Sequence, residues 1–206
     1  MATKINLEEN KYYHIYNRGN NNQDIFFNNE NYYYFLRLYA KYIDPFAETY
    51  AWCLMKNHFH LLIYVKPFEQ INLADLSYTT THNPKKIGIT YQFSHLFNAY
   101  TQSINKVFNR SGSLFEKSFE RKIVKSEKYF KNLIYYIHNN PVHHKFVENI
   151  AMYPWSSYGS VISNKPTKLK REKIIDLFKN EVDFINYHSL NHNISDIQDL
   201  VIEHYK

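Results

Sequence analysis

The chain has very little of several things that define whole classes of protein. Its one cysteine, Cys53, excludes a disulfide framework and any cysteine-rich zinc or iron–sulfur site. No stretch approaches the ~18 consecutive apolar residues that a membrane-spanning helix needs. Residues 1–14 have no apolar core of the length found in a signal peptide. We therefore expect neither export nor membrane insertion.

What the chain does have is positive charge and aromatic side chains. Its 206 residues suffice for one domain, or one domain with an appendage, that buries roughly 70% of its unfolded surface. There are 20 tyrosines and 15 phenylalanines but only 4 glycines. A net charge of +6 and a pI near 9.1 indicate an anionic partner, most often a nucleic acid.

The positive charge is concentrated in one segment. Residues 106–131 contain eight lysines and arginines against three glutamates, which is +5 of the total of +6. Aromatic residues such as Phe115 and Phe119 lie among these charges. Basic side chains bind phosphates and aromatic rings stack on unpaired bases, so the mixture suits single-stranded nucleic acid. The same pattern also fits a solvated amphipathic surface whose aromatic residues belong to the core.

Hydrophobic periodicity predicts strands interleaved with helices. Strands are predicted at residues 12–18, 48–55 and 58–65, with a further extended stretch at 113–124. Helices are predicted from Asn28 or Asn29 to about Tyr42, from Thr90 to Ser111-Gly112, and from Ser126 to Pro141, which should stop the last one. Because the best-defined strand pair is a tight hairpin through Lys56-Asn57, we predict an α+β fold, an antiparallel sheet covered by helices on one face.

Two segments of the chain depart from this regular pattern of strands and helices. Residues 66–89 contain a threonine run, Asn83-Pro84 and Gly88, and are predicted to form a long connection. After Tyr158 the composition becomes polar, which predicts a linker at 160–167 and short amphipathic helices at 171–184 and 195–205. We therefore divide the chain into a domain at 1–163 and a helical C-terminal extension at 164–206.

A histidine pair lies in the second strand of the hairpin. The period of two along residues 58–65 turns Phe59 and Leu61 towards a core and turns His58 and His60 the other way, side by side. Two imidazoles on one strand face are spaced to bind one divalent metal ion. Two half-buried histidines that are hydrogen-bonded to neighbours would show the same pattern. Amidohydrolases and metallo-β-lactamases also contain His-x-His, but in the latter a further Asp-His pair follows, whereas Leu61-Leu62 follows here.

A tyrosine pair lies in the helix that begins at Ser126. Helical phase, about 100° per residue, points Tyr135 away from the predicted core face, so we expect Tyr135 to be solvated. Tyr136 falls on the flank, and Asn140, four residues later, lies on the same flank. The pair could reach a shared site. In a chain with 20 tyrosines, Tyr136 is equally compatible with an ordinary side chain at the edge of the core.

These residues together resemble the HUH pattern of single-tyrosine transposases, and specifically the REP-associated branch of that family. The resemblance covers about residues 11–160 and consists of five blocks in family order, at 13–19, 54–62, 112–116, 136–142 and 153–158. It departs from the family pattern at Lys56, where many relatives have proline, and at Asn140, where the insertion-sequence branch generally has glutamine. The 164–206 extension has no motif that can be compared.

The resemblance implies a fold, a chemistry and a site. The fold would be a ferredoxin-like antiparallel sheet with helices packed on it, the HUH endonuclease/transposase fold, with the histidines on a central strand. Tyr136 would be the nucleophile, and His58, His60 and Asn140 would bind a divalent metal ion, Mg or Mn. The protein would nick single-stranded or hairpin DNA through a 5′-phosphotyrosine and then transfer or rejoin strands.

The resemblance implies single-stranded or hairpin DNA as the partner, and a location in the bacterial cytoplasm, associated with the nucleoid when DNA is bound. The sequence leaves monomer and homodimer open. Candidate DNA-binding residues are Arg18, Arg110, Lys117, Arg121, Lys122 and Lys125. Two other functions share these features. A domesticated hairpin-binding protein would bind DNA without transposition, and a metal phosphodiesterase would use water in place of Tyr136.

Overall fold

One four-stranded antiparallel sheet forms the centre of the protein. The computed structural model describes residues 6–72, 76, 88–116, 118–190 and 192. The strands are β1 (Tyr12–Arg18), β2 (Ala47–Leu54), β3 (His58–Val65) and β4 (Glu120–Val124), in the spatial order β2-β3-β1-β4. The predicted hairpin and the position of the histidine strand in the middle of the sheet are confirmed. Only the last part of the predicted extended stretch 113–124 is a strand, and Phe115 makes an isolated bridge with Gly19.

Six helices complete the described fold. They are α1 (Asn29–Tyr42), α2 (Ile89–Val107), α3 (Glu127–His143), α4 (Tyr158–Val161), α5 (Arg171–Leu177) and α6 (Glu181–Ser189). The order β1-α1-β2-β3-α2-β4, with every neighbouring strand pair antiparallel, is the ferredoxin-like arrangement. The predicted α+β fold is therefore correct. Among the helices of the described ranges, none has the length and apolar character to cross a membrane.

The first hydrophobic core lies on the sheet face that the sequence identified. Phe59, Leu61 and Ile63 of β3 point into it and are buried. Helices α1 and α2 cover this face, and their apolar stripes contribute residues such as Phe35 and Phe93. The side chain of Asn28 caps α1 by accepting a hydrogen bond from the Asn31 N–H, as the sequence predicted.

The opposite face of the sheet carries a second core, so the prediction of helices on one face only is wrong. Leu62 of β3 and Cys53 of β2 are fully buried on that side. Helix α3 packs there through Leu133, Ile134 and Ile137. The alternation along β3 hid this core, because His58 and His60 occupy the same face as Leu62 and made that face look polar.

Helix α3 continues through Pro141 to His143, which the sequence did not predict. A proline lacks only its own N–H, so a helix can pass it when the remaining bonds and the packing are retained. Pro141 is buried, and the next backbone bonds re-form beyond it, with the His144 N–H donating to the Asn140 carbonyl. Asn140 consequently lies within the helix.

The described part of the C-terminal extension packs on α3. The predicted helix 171–184 is two helices, because Lys179 adopts a positive φ of 75° and Asn180 caps α6. Ile174, Phe178 and Phe184 belong to the second core together with Leu133. The predicted helix 195–205 and most of the 66–89 connection lie outside the described residues. The domain boundary at residue 163 stays a prediction.

A directed chain of buried hydrogen bonds joins α6, α3 and β2. His188 Nδ1 donates to the Phe184 carbonyl at 2.8 Å, so its Nε2 accepts from His138 Nδ1 at 3.0 Å. The remaining nitrogen of His138 then accepts from the Ser157 hydroxyl at 2.7 Å, and that oxygen accepts from the Trp52 N–H at 2.9 Å. Both imidazoles are neutral in this arrangement.

Lowering the pH is expected to destabilise the folded chain through His188. Burial lowers the pKa of His188 from 6.5 to about 4, so between these values the unfolded chain binds more protons than the folded one. The resulting stabilisation is complete above pH 6.5 and is lost as the pH falls through 4. At about 1.4 kcal/mol per pKa unit it is on the order of 3 kcal/mol.

The variant His188→Phe checks this expectation. Phenylalanine fills the aromatic site beside Phe184 and removes the titrating group, although it leaves His138 without an acceptor. In urea unfolding at pH 7 and pH 4, the variant should lose less stability on acidification than the original chain. The same loss in both proteins would contradict the role given to His188.

Candidate active site

The histidine pair is positioned by the start of β3. The Lys56-Asn57 turn leads directly into the strand, and Met55 N–H donates to the His58 carbonyl at 2.8 Å. His58 and His60 lie on one face of the strand, with ring centroids 5.3 Å apart. His58 is half-buried, and His60 is 4% exposed. The predicted side-by-side pair is confirmed.

Helix α3 places Tyr136 and Asn140 over that pair. The Ser126 side chain caps the helix by accepting from the Tyr129 N–H, and the apolar residues Leu133 and Ile137 fix the face that meets the sheet. Residues four apart lie on one side of a helix, so Tyr136 and Asn140 are brought to the sheet together. Tyr136 is 3% exposed and Asn140 is fully buried.

The four predicted side chains meet in one place. Asn140 Oδ1 lies 3.0 Å from His58 Nε2. The Tyr136 ring stands edge-on to the His60 ring, with centroids 5.4 Å apart. Residues from a strand and from a helix 76 or more positions later in the chain therefore share one small polar site between the sheet and α3.

Tyr135, by contrast, is not solvated, and this prediction is wrong. It is 5% exposed because the C-terminal residues cover it, with rings of Tyr187, His188 and His192 packed around it. Helical phase placed Tyr135 correctly on the side of α3 away from the sheet. The sequence pattern did not reveal that α6 packs on that side.

The donor atoms fit a divalent cation. Among the described residues, two buried side-chain atoms have no hydrogen-bond partner, and they are His60 Nε2 and Asn140 Nδ2. Such atoms are rare in folded proteins and often mark a site for an ion or water. His58 Nε2 and Asn140 Oδ1 lie 3.0 Å apart, within hydrogen-bonding distance, so the two atoms are close enough for one ion to contact both. The described residues hold no cluster of three His, Cys, Asp or Glu side chains suited to a metal, so the predicted set depends on Asn140.

His60 has the protonation state that a ligand requires. Burial is the main cause that lowers the pKa of His60 well below its usual value of 6.5, and the neighbouring His14, His58 and His144 lower it further. The ring is therefore neutral near pH 7. A neutral imidazole keeps one nitrogen lone pair, which is the form that binds metal ions.

Three further aromatic side chains surround this site, and the sequence pattern did not predict their position there. The rings of His14 and Tyr16 of β1 lie beside that of His60, with centroids 5.1 Å and 5.8 Å away, and the His144 ring lies beside that of His58, with centroids 5.0 Å apart. Burial raises the pKa of Tyr16 to about 12. Alternation along β1 puts His14 and Tyr16 on one face, and this signal was present in the sequence. That this face is the one shared with His60 follows only from the strand register, Tyr16 opposite His60.

The five candidate DNA-binding residues that the structure describes do not form one surface. In the β1–β4 register Lys122 lies opposite His14, on the face of the active site, whereas Arg121 lies on the other face, 4.1 Å from the centroid of the Phe119 ring. Lys125 is exposed just after β4. Lys117 lies outside the described residues.

The other two arginines are held by neighbours. Arg18, at the end of β1, pairs with Glu116 at 2.6 Å. Arg110 donates to Gln23 Oε1 at 3.1 Å and to Asn105 Oδ1 at 3.3 Å. The strand parity of β4 therefore makes Lys122 better placed than Arg121 to contact a ligand at the site.

The protein is a ferredoxin-like sheet that carries a histidine pair beneath a helix with tyrosine and amide side chains. Its fold is similar to that of a solved REP-associated tyrosine transposase bound to a REP hairpin. That structure matches with a TM-score of 0.59 and 14% identity, over 81% of this chain and 88% of its own. The likeness confirms the predicted fold.

Similarity in sequence leads to the same family. A curated protein of Haemophilus influenzae, provisionally named a REP-associated tyrosine transposase, is 27% identical over 111 residues. The match covers 54% of this chain and 58% of the relative's length. No family model matches the chain. The resemblance to REP-associated tyrosine transposases is thus confirmed in sequence and in fold.

The packing of Tyr136 predicts how its substitutions affect stability. Tyr136→Phe removes only the hydroxyl and is expected to cost about 1 kcal/mol. Tyr136→Ala leaves a cavity beside His60 and in the second core, and should cost about 3–5 kcal/mol. Urea unfolding measures both. Equal costs for the two variants would show that the ring does not pack as described.

Proposed function

We propose that this protein is a metal-dependent DNA-nicking and strand-transfer enzyme, a transposase of the REP-associated single-tyrosine kind. Its substrate is single-stranded or hairpin DNA. The observation that carries the proposal is the convergence of His58, His60, Asn140 and Tyr136 on one site. The fold shared with a transposase that binds a hairpin supports the choice of substrate.

Tyr136 is the nucleophile in this proposal. Its hydroxyl oxygen attacks the scissile phosphorus, the bond from phosphorus to the 3′ oxygen breaks, and that oxygen takes up a proton as it leaves. The products are a 5′-phosphotyrosine and a free 3′-hydroxyl. The covalent bond retains the phosphoester energy, so a later hydroxyl can rejoin strands without ATP. A tyrosine hydroxyl has an ordinary pKa near ~10, so it must give up its proton as it attacks.

His58 Nε2, His60 Nε2 and Asn140 Oδ1 would hold a divalent cation. When bound, the cation polarises the scissile phosphate and stabilises the negative charge that develops on it. Phosphate oxygens and the amide ligand favour Mg or Mn, and of these two metals Mn is the better suited to the two imidazole ligands. By holding the cation, His58, His60 and Asn140 would fix the position of the scissile phosphate relative to Tyr136.

The approach of the DNA is limited by the burial of the site. Tyr136 is 3% exposed, so a strand reaches its hydroxyl only when the side chains covering the site move. His58 and His144 are half-buried and give the site its contact with solvent. Lys122 on the site's face and exposed Lys125 would bind the phosphates nearby.

Tyr136→Phe is expected to abolish the covalent protein–DNA adduct. The chain is incubated with single-stranded hairpin DNA and Mn²⁺ and analysed on a denaturing gel, on which the adduct migrates as a larger species. Tyr135→Phe is the matched control, because it removes the hydroxyl of the adjacent buried tyrosine. The control should form adduct at close to the normal rate.

Three results would separate the alternatives. An undiminished adduct with Tyr136→Phe contradicts the assignment of the nucleophile. Cleavage without an adduct, unaffected by Tyr136→Phe, indicates a phosphodiesterase that uses water. Binding without cleavage over a panel of hairpins indicates a domesticated binding protein.

Mn²⁺ is expected to stabilise the fold through the three proposed ligands. A cation at 100 times its dissociation constant adds about 2.7 kcal/mol to the unfolding free energy. His60→Ala and Asn140→Ala should lose this increment, measured as the shift in thermal midpoint on adding Mn²⁺. His95→Ala on the exposed side of α2 is the control and should keep it. Equal shifts in all variants would place the ion elsewhere.

A further inference from the structure

The buried imidazole of His14 has no part in the mechanism described above. It lies in the middle of β1, opposite Leu62 of β3, and none of it is exposed. Its ring lies edge to edge with that of His60 and nearly in the same plane, with centroids 5.1 Å apart and an interplanar angle of 24°. The Tyr136 ring stands edge-on to it, with centroids 6.3 Å apart, so His14 lies next to both the proposed ligand and the proposed nucleophile.

The two proposed histidine ligands are held in the same way. His58 Nδ1 lies 2.8 Å from Asn57 Oδ1, and His60 Nδ1 lies 2.9 Å from His14 Nε2. Their other nitrogens face the site, since His58 Nε2 contacts Asn140 and His60 Nε2 has no partner among the described residues. Each ring is therefore fixed through Nδ1 and presents Nε2.

Which tautomer His60 adopts depends on the direction of its bond to His14. If His60 Nδ1 carries the proton, it donates to His14 Nε2, and His60 Nε2 keeps a lone pair. If His14 Nε2 carries the proton, His60 Nε2 must be an N–H, which cannot bind a cation. A buried N–H without an acceptor is also the rarer defect in folded proteins. The first arrangement avoids this defect and leaves His60 Nε2 able to bind a cation.

We propose that His14 is a positioning residue that accepts the Nδ1–H of His60 and so holds His60 Nε2 as the atom that binds the cation. The inference rests on the proposed function of His58, His60 and Asn140. His14 does not reach the cation, because its own Nε2 is occupied by His60. Outer partners of this kind orient metal-binding histidines and select their tautomer.

The tautomer of His60 in the metal-free protein is the direct test. Long-range proton–nitrogen NMR spectra, assigned with a His60→Gln variant, should show that His60 is protonated at Nδ1. In His14→Phe, which keeps a ring of similar size but offers no acceptor, the population should shift towards the Nε2-protonated form. An Nε2-protonated His60 in the unmodified chain would overturn the proposal, and this measurement needs neither a bound cation nor DNA.

Mn²⁺ affinity, measured by calorimetric titration, is the second readout. His14→Phe should weaken binding by about 10–100-fold. His14→Gln should recover most of the loss, because its amide oxygen reaches the position of the imidazole Nε2 and accepts the same hydrogen bond. His95→Phe, the same change at an exposed histidine of α2, is the matched control and should bind as the unmodified chain does.

The outcomes distinguish this inference from the function on which it rests. Equal Mn²⁺ affinity in His14→Phe and in the unmodified chain overturns the role of His14 and leaves the cation site intact. No binding to the unmodified chain overturns the cation site, whereas the NMR spectra still decide the tautomer. If His14→Phe does not fold, the spectra of the unmodified chain and of His14→Gln give the answer.

Discussion

The packing of α3 against the sheet is the interaction on which the rest of the site depends. The sheet already has a complete core on the side covered by α1 and α2. Its other face combines apolar residues such as Leu62 with the histidine pair, and this mixed face must still be buried. Helix α3 buries this face with Leu133, Ile134 and Ile137. The same packing brings Tyr136 and Asn140 next to the histidines. One packing event therefore builds both the second core and the candidate active site.

The histidines at and near this interface are held by hydrogen bonds, and two polar atoms are exceptions. His58, His60 and His138 are each hydrogen-bonded through Nδ1 to a named neighbour. The exceptions among the described residues are His60 Nε2 and Asn140 Nδ2, and of these only the imidazole nitrogen can offer a lone pair to a cation. A buried polar atom without a partner lowers stability, and proteins retain such atoms chiefly where function requires them. The contrast between the hydrogen-bonded Nδ1 of His60 and its unpartnered Nε2 supports a ligand role for His60.

Much of this arrangement could be predicted from the sequence, because local periodicity determines it. The strand at 58–65 fixed the side-by-side histidines, and the four-residue spacing fixed Tyr136 and Asn140 on one side of a helix. What the sequence did not reveal depends on contacts between distant segments. The burial of Tyr135 depends on α6, the role of His14 on the register of β1 against β3, and the second core on where α3 packs. The faces of Arg121 and Lys122 could have been separated by strand parity once β4 was correctly bounded.

The central claim is that two histidines from the sheet and one asparagine from α3 form a single cation site beside Tyr136. Anomalous diffraction from crystals soaked in Mn²⁺ tests it most directly. The account predicts one strong peak within coordination distance of His58 Nε2, His60 Nε2 and Asn140 Oδ1, next to the Tyr136 ring. A peak bound by other residues, or none at these three atoms at saturating Mn²⁺, would contradict it.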